Sequence, residues 1–164
     1  MPRIQCMPVD AIPPSSGYFF DELFVGQRFM SHRVTVTEEA IIRFALEWDP
    51  HDFHLDRERA KSSIFGELVG SGLQTLLLTS RLLYDSSIFR GTALAGLGMD
   101  NLKFLKPLLP GDTIGACSEI ILKSEGKRQD GGEVSLRIDT VNHRDEVIMT
   151  HVRHMLVSRS MQSV

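Results

Sequence analysis

Cysteine is scarce: Cys6 and Cys117 are the only two in 164 residues. Two are too few for a disulfide framework or a thiolate metal site, so a pair of unpaired thiols in a reducing compartment is the expectation. Long apolar runs are also missing. No stretch approaches the roughly 18 consecutive apolar residues that a membrane-spanning helix needs, and Met1 to Pro8 contain no apolar signal core. A cytoplasmic protein with no membrane span is therefore expected. Positive charge is not in excess either, since 18 Lys and Arg stand against 21 Asp and Glu for a formal charge of −3. With no global field to attract a polyanion, nucleic acid is not expected as a partner. Neither a Gly-x-Gly-x-x-Gly fingerprint nor a Gly-x-Ser-x-Gly elbow occurs, which argues against dinucleotide chemistry and a hydrolase nucleophile turn.

What is present is enough apolar material, 42% of residues, to build the core of one domain. Residues 1–22 hold Pro2, Pro8, Pro13 and Pro14 beside Ser15, Ser16 and Gly17, and read as an extended N-terminal arm. Val25 to Val36 is rich in β-branched and aromatic residues and reads as a first strand. Thr37 offers an N-cap, Glu38 and Glu39 suit the first turn of a helix, and Ile41, Ile42, Phe44, Ala45 and Trp48 recur at helical spacing. Pro50 ends that helix at Asp49. A loop over 49–56, a helical turn at 57–61 and a second loop over 65–72 follow.

Leu73 to Tyr84 is apolar nearly all round, the mark of a helix buried on most of its surface. Strands are predicted over 92–105, 113–123, 133–142 and 146–158. The clearest alternates Val134, Leu136, Ile138 and Thr140 with Glu133, Ser135, Arg137 and Asp139. Helices first and strands after indicate an α+β domain over 23–158, with an antiparallel five-stranded sheet curled around one long helix and a short tail at 159–164. An exposed edge strand in such a wrap calls for a partner, and a homodimer is expected.

Two local patterns point to chemistry. Asp49 and His54 bound one short loop that starts where Pro50 breaks the helix, so both side chains can aim into one space, where a carboxylate and an imidazole exchange a proton with water. The same spacing also suits a loop in which Asp49 caps a backbone group and His54 packs. Ser71-Gly-Leu-Gln74 matches a Ser-x-x-Gln capping box, which makes Ser71 the N-cap of the long helix and leaves the Gly72 N–H without an intrahelical acceptor. A glycine N–H at the positive end of a helix suits an anionic oxygen, although an ordinary helix start has the same form. Asp49, His51 and His54 lack the further ligands a metal needs, so no metal is assigned. His151 and His154 point to opposite faces of a strand, Cys117 reads as core, and Gly96 and Gly98 mark a bulge or a close backbone approach.

Phe44-Ala-Leu-Glu-Trp-Asp49, Phe53-His54-Leu-Asp56, Phe65-Gly66 and Val69-Gly-Ser-Gly72 together resemble the MaoC-like dehydratases and (R)-specific enoyl-CoA hydratases. Leu102-Lys-Phe-Leu-Lys-Pro107 and Pro110-Gly-Asp112-Thr look like that family's second signature, and the likeness runs over roughly residues 20–158. The resemblance implies a hot-dog fold, an Asp49–His54 catalytic dyad and a thioester oxygen held by the Gly72 N–H. It also implies a supporting role for Ser80 and substrate contacts at Phe53, Phe65 and Gly66, while Ser71, the N-cap beside Gly72, is a second supporting residue by its capping position. The implied reaction is reversible hydration of trans-2-enoyl thioesters on coenzyme A or acyl carrier protein, giving an (R)-3-hydroxyacyl product with no redox or metal cofactor. A hot-dog thioesterase and a non-catalytic acyl-CoA binding module are the alternatives. The loop departs from the family's Gly-Asp-x-Asn-Pro-x-His, because His51 holds the asparagine position and the proline adjoins the aspartate. Ser71 also replaces the histidine that often precedes the helix glycine. Lys103, Lys106, Arg43 and Arg57 are candidate phosphate contacts, with solvated surface charge as the simpler account of each.

Overall fold

Alternation and turn chemistry carry the C-terminal half into four long strands. In the computed structural model, which describes residues 17–125 and 128–160, these are β2 (Ala93–Phe104), β3 (Thr113–Ser124), β4 (Gly131–Val141) and β5 (Val147–Ser158). With β1 (Arg28–Thr35) they form one sheet in the order β1-β3-β4-β5-β2, every pairing antiparallel. The helices are α1 (Glu38–Trp48), α2 (Asp52–Leu55), α3 (Arg57–Ala60) and α4 (Gly72–Asp85). No described helix is long and apolar enough to cross a membrane.

Helix α4 lies against the sheet as expected: the Thr79 and Thr140 hydroxyls meet at 2.7 Å, joining it to the central strand β4, and Leu82 and Leu83 enter the core with Ile138 and Ile120. Its surface is less fully covered than its composition predicts. The buried face carries Gln74, Thr75 and Thr79, whereas Leu73, Leu77 and Tyr84 stand exposed along one stripe. Strand β2, at the sheet edge, is exposed along its whole length and breaks register three times, once between Gly96 and Gly98. The glycines there mark a bulge. On β4 the outward-facing Ser135 and Asp139 are buried too, because His154 bonds Ser135 and Thr150 bonds Asp139 from β5.

The arm reading fails for its described part. Tyr18 and Phe20 belong to the core cluster, and the Tyr18 N–H donates to the Ile88 carbonyl at 2.8 Å. A 3₁₀ turn at Phe20–Glu22 sets Phe20 against Gly132, where any side chain would collide with the ring. The domain thus starts before residue 23, and two aromatics outweighed the prolines upstream. At the other end Arg159 and Ser160 bond Asp21, so the tail begins attached. Residues 1–16 and 161–164 lie outside the described part, Cys6 among them. Cys117 is disulfide-bonded, which corrects the expectation of unpaired thiols.

His151 is fully buried on β5 opposite Ile138, and neither ring nitrogen has a hydrogen-bond partner among the described residues. Burial pushes its pKa down, Arg153 adds to the shift and Asp139 opposes it. The folded state therefore holds a neutral imidazole. Above the ordinary histidine pKa of about 6.5 the ring is neutral in both states, and below it the unfolded chain takes up a proton that the fold refuses. Stability from this group falls as pH drops below about 6.5, by at most about 1.4 kcal/mol per pH unit, down to the lowered folded value. His151→Leu is expected to flatten this part of the curve, as read from urea unfolding midpoints at pH 7 and pH 5.5.

Candidate active site

Helix α1 begins at Thr37, whose hydroxyl accepts from the Ala40 N–H, and ends at Asp49, whose N–H donates to the Ala45 carbonyl. The backbone at Asp49 leaves helical geometry, as the following proline requires, and its carboxylate turns toward the start of α4. The loop predicted over 49–56 contains a full helical turn, α2, capped without a side-chain bond at His51. That turn lifts His54 into the interior, where its side chain is only 7% exposed against 20% for Asp49.

His54 Nδ1 lies 2.7 Å from the Val69 carbonyl oxygen, which can only accept. The proton therefore resides on Nδ1, and the neutral ring presents the Nε2 lone pair to the site. Nε2 is 3.6 Å from Asp49 Oδ2, too far for a good direct bond and suited to a shared water. Ser71 Oγ donates to the same Oδ2 at 2.5 Å and accepts from the Leu73 N–H at 3.1 Å. One fully buried hydroxyl thus holds the carboxylate and caps α4. Among the described residues the Asp49 carboxylate caps no backbone group; it is held by Ser71 and lies beside His54.

The capping box is only half realised. Ser71 bonds Leu73 rather than Gln74, and the Gln74 amide nitrogen reaches the Ala40 carbonyl at 3.0 Å, which ties α4 to α1. Tertiary packing diverts the glutamine. Gly72 lines the same cavity of about 380 Å³ as Asp49 and His54, and its N–H makes no hydrogen bond within the described residues. Its donor sits at the positive end of a 14-residue helix.

Phe53 and Phe65 line this cavity as expected, with ring centroids 5.3 Å apart, and Phe53 also stacks edge-on against His54 at 4.5 Å. Gly66 does not line it. It is exposed in a turn with positive φ and open space where a Cβ would stand, so its part is to turn the chain. Ser80 is also elsewhere, in a second cavity, with Arg153 Nη2 donating to its hydroxyl at 3.4 Å. Eight residues along a helix carry a side chain about 12 Å away and about 80° round, which takes it off the face that Gly72 presents.

The opposite wall comes from the segment Leu102 to Pro107, whose likeness to the family's second signature was legible, but no pattern in the residues gave Phe104 a place at the site. Phe104 lies so close to Gly72 that a Cβ there would stand 2.8 Å from its ring, and Leu105, Lys106 and Pro107 continue the lining. Lys106 is paired with Glu146, whose pKa falls to about 2 under Lys106, Asn142 and Arg144, and Arg57 is paired with Glu38. Neither cation is a free phosphate contact. Among the described residues no group of three His, Cys, Asp or Glu side chains has the arrangement of a metal site.

Residues 24–142 match the family model described as MaoC like domain. An uncharacterized Bacillus subtilis protein, YdeM, is 30% identical over 139 residues, which are 85% of this chain and 98% of that one. The crystal structure of a MaoC-like dehydratase from Rhodospirillum rubrum superposes with a TM-score of 0.84 at 37% identity, covering 89% of this chain and all of that one. The unliganded R-hydratase PhaJ1 of Pseudomonas aeruginosa shares the hot-dog fold, with a TM-score of 0.73 at 21% identity over 88% of each chain.

Proposed function

Because the chain belongs to the MaoC-like domain family, we propose that it adds water reversibly across the C2–C3 double bond of a trans-2-enoyl thioester. The observation that carries this reading is that Asp49, His54 and Gly72, the first residue of α4, line one cavity. A carboxylate oxygen and an unprotonated Nε2, 3.6 Å apart, offer two acceptors to one water. His54 takes a proton from that water as its oxygen attacks C3. The electron pair of the double bond moves toward the thioester oxygen, where the Gly72 N–H stabilises the developing charge. The Asp49–His54 pair then returns a proton to C2. Hydroxyl and hydrogen arrive from the same face, since one pair handles both, and dehydration is the same path reversed.

The thioester itself acidifies C2, so this route asks nothing of a metal or redox group. The carrier is coenzyme A or acyl carrier protein, and the product an (R)-3-hydroxyacyl thioester. A second copy paired along the exposed strand β2 would cover the apolar stripe of Leu73, Leu77 and Tyr84, which supports a homodimer. Loss of the enoyl absorbance of crotonyl-CoA on mixing with the protein tests the reading. Release of free thiol instead would mark a thioesterase, and saturable binding with neither change would mark a binding module.

Ser71 tests the positioning of the carboxylate. Ser71→Ala removes both the bond to Asp49 and the cap of α4, and is expected to cost about 1 kcal/mol of stability. It should also lower kcat about tenfold, the effect of losing one hydrogen bond to a charged group, with KM nearly unchanged. Ser71→Thr, which keeps the hydroxyl, should recover most of the rate in steady-state assays.

A further inference from the structure

The proposed chemistry leaves one oxygen of Asp49 unused. Ser71 and His54 both meet Oδ2, at 2.5 Å and 3.6 Å, whereas Oδ1 lies 3.4 Å from His51 Nε2. The three side chains differ in their access to water. Ser71 is fully buried and the His54 side chain is 7% exposed, but that of His51 is 65% exposed. Of the three, only His51 reaches from the carboxylate to bulk solvent.

Local chemistry holds the ring in that place. Pro50 turns the chain out of α1, the His51 N–H donates to the Asp49 carbonyl at 2.8 Å, and the His51 carbonyl accepts from the His54 N–H at 2.8 Å as α2 begins. The His51 ring lies flat on Phe53, with centroids 5.2 Å apart and planes 8° from parallel. Phe53 lines the cavity, and its carbonyl accepts from the Val69 N–H at 3.1 Å, so the stack rests on a fixed wall. The adjoining carboxylate is already engaged, since Asp52 pairs with Arg59 at 3.0 Å. Asp49 is the acid left for His51 to face.

We propose that His51 relays protons between the Asp49 carboxylate and bulk water, a role that rests on the reading of this cavity as a hydratase site. His51 acts through Asp49 and not on the thioester, so it is a positioning residue. With its proton on Nε2 the neutral ring donates to Oδ1 and leaves Nδ1 as an acceptor for solvent. Water protonates Nδ1, the Nε2 proton passes to Oδ1, and a neutral ring with its proton on Nδ1 remains. Only N–H and O–H bonds form and break. A charge-assisted bond is shorter than a neutral one, so the 3.4 Å gap closes as the ring takes up its proton. Run backward, the same path carries to solvent a proton that the dyad has taken from C2. The dyad's proton therefore exchanges with water before the hydroxyl at C3 has left.

Label exchange at chemical equilibrium tests the relay. The whole protein is held with crotonyl-CoA and its hydration product in water enriched in deuterium and ¹⁸O. Mass spectra of the 3-hydroxybutyryl thioester then give the rates at which label enters C2 and the C3 hydroxyl. A proton that leaves only with the water makes the two rates equal, and a separate exit makes the C2 rate the faster. Wild type is expected to show that excess. His51→Gln keeps a donor for Oδ1 but passes no proton onward, and should bring the two rates to parity, as should His51→Ala. Imidazole added to the alanine protein should restore the excess, which a merely structural role would not allow. An excess that survives in both variants overturns the relay. Wild type that hydrates crotonyl-CoA with the two rates at parity removes the relay alone, whereas wild type that exchanges neither label and leaves the enoyl absorbance unchanged removes the hydratase reading and the relay with it.

Discussion

His54→Ala is expected to lower kcat for hydration of a trans-2-enoyl-CoA by about 10²- to 10⁴-fold, the range supplied by a positioned general base. Its Nδ1 is committed to the Val69 carbonyl, so the imidazole enters the site with its basic nitrogen forward and needs no rearrangement before it takes a proton. Asp49→Asn should fall into the same range for a different reason. The amide keeps the shape of the carboxylate, but one of its two positions becomes a donor, so the water loses an acceptor and Ser71 loses its strongest partner. On the proposed mechanism the two groups act on one water, so the double variant should be little slower than the worse single one. His54 is buried, so its replacement by alanine also leaves a void; a thermal melt, together with unchanged binding of a saturated acyl-CoA, separates loss of chemistry from loss of fold.

Phe20→Ala carries the largest effect expected on stability, a loss of about 3–5 kcal/mol in urea unfolding. That is a large share of the 5–15 kcal/mol that holds a typical domain. The ring is fully buried, presses on the backbone at Gly132, and has Lys123 Nζ 4.3 Å and Arg159 Cζ 4.8 Å from its centroid. Alanine removes the apolar contact and leaves both cations without a π face. Phe20→Leu should cost less, since it fills part of the volume. A loss below about 1 kcal/mol for the alanine variant would return residues 17–22 to the status of a loosely attached arm.

Phe20 also shows where sequence pattern stops. Local signals set most of the elements: Thr37 and Pro50 bracket α1, Ser71 starts α4, and alternation draws β4. Those signals rest on backbone chemistry that acts within a few residues. Three adjacent aromatics, Tyr18 to Phe20, in a Pro-rich segment have no period, so the burial of Phe20 against Gly132, more than 100 residues away, leaves no local trace. Gln74 is similar, because the motif that pairs it with Ser71 is local and the Ala40 carbonyl that takes its amide is not.

The site divides along the same line. Asp49, His54 and Gly72 were legible because a short loop and a helix start put them together. Ser80 came from family likeness alone, and the helical repeat turns it toward a cavity whose other occupant, Arg153, lies 73 residues further on. The exposed stripe on α4 escaped composition because Leu73, Leu77 and Tyr84 are more apolar than Gln74, Thr75 and Thr79 on the buried face.

Hydration of crotonyl-CoA in D₂O by the wild-type protein, with chiral analysis of the product, tests the central claim most directly. The account predicts the (R)-3-hydroxybutyryl thioester, with deuterium at C2 on the same face as the new hydroxyl, and neither change in the His54→Ala protein. The (S) product, deuterium on the opposite face, or undiminished turnover without His54 would contradict it.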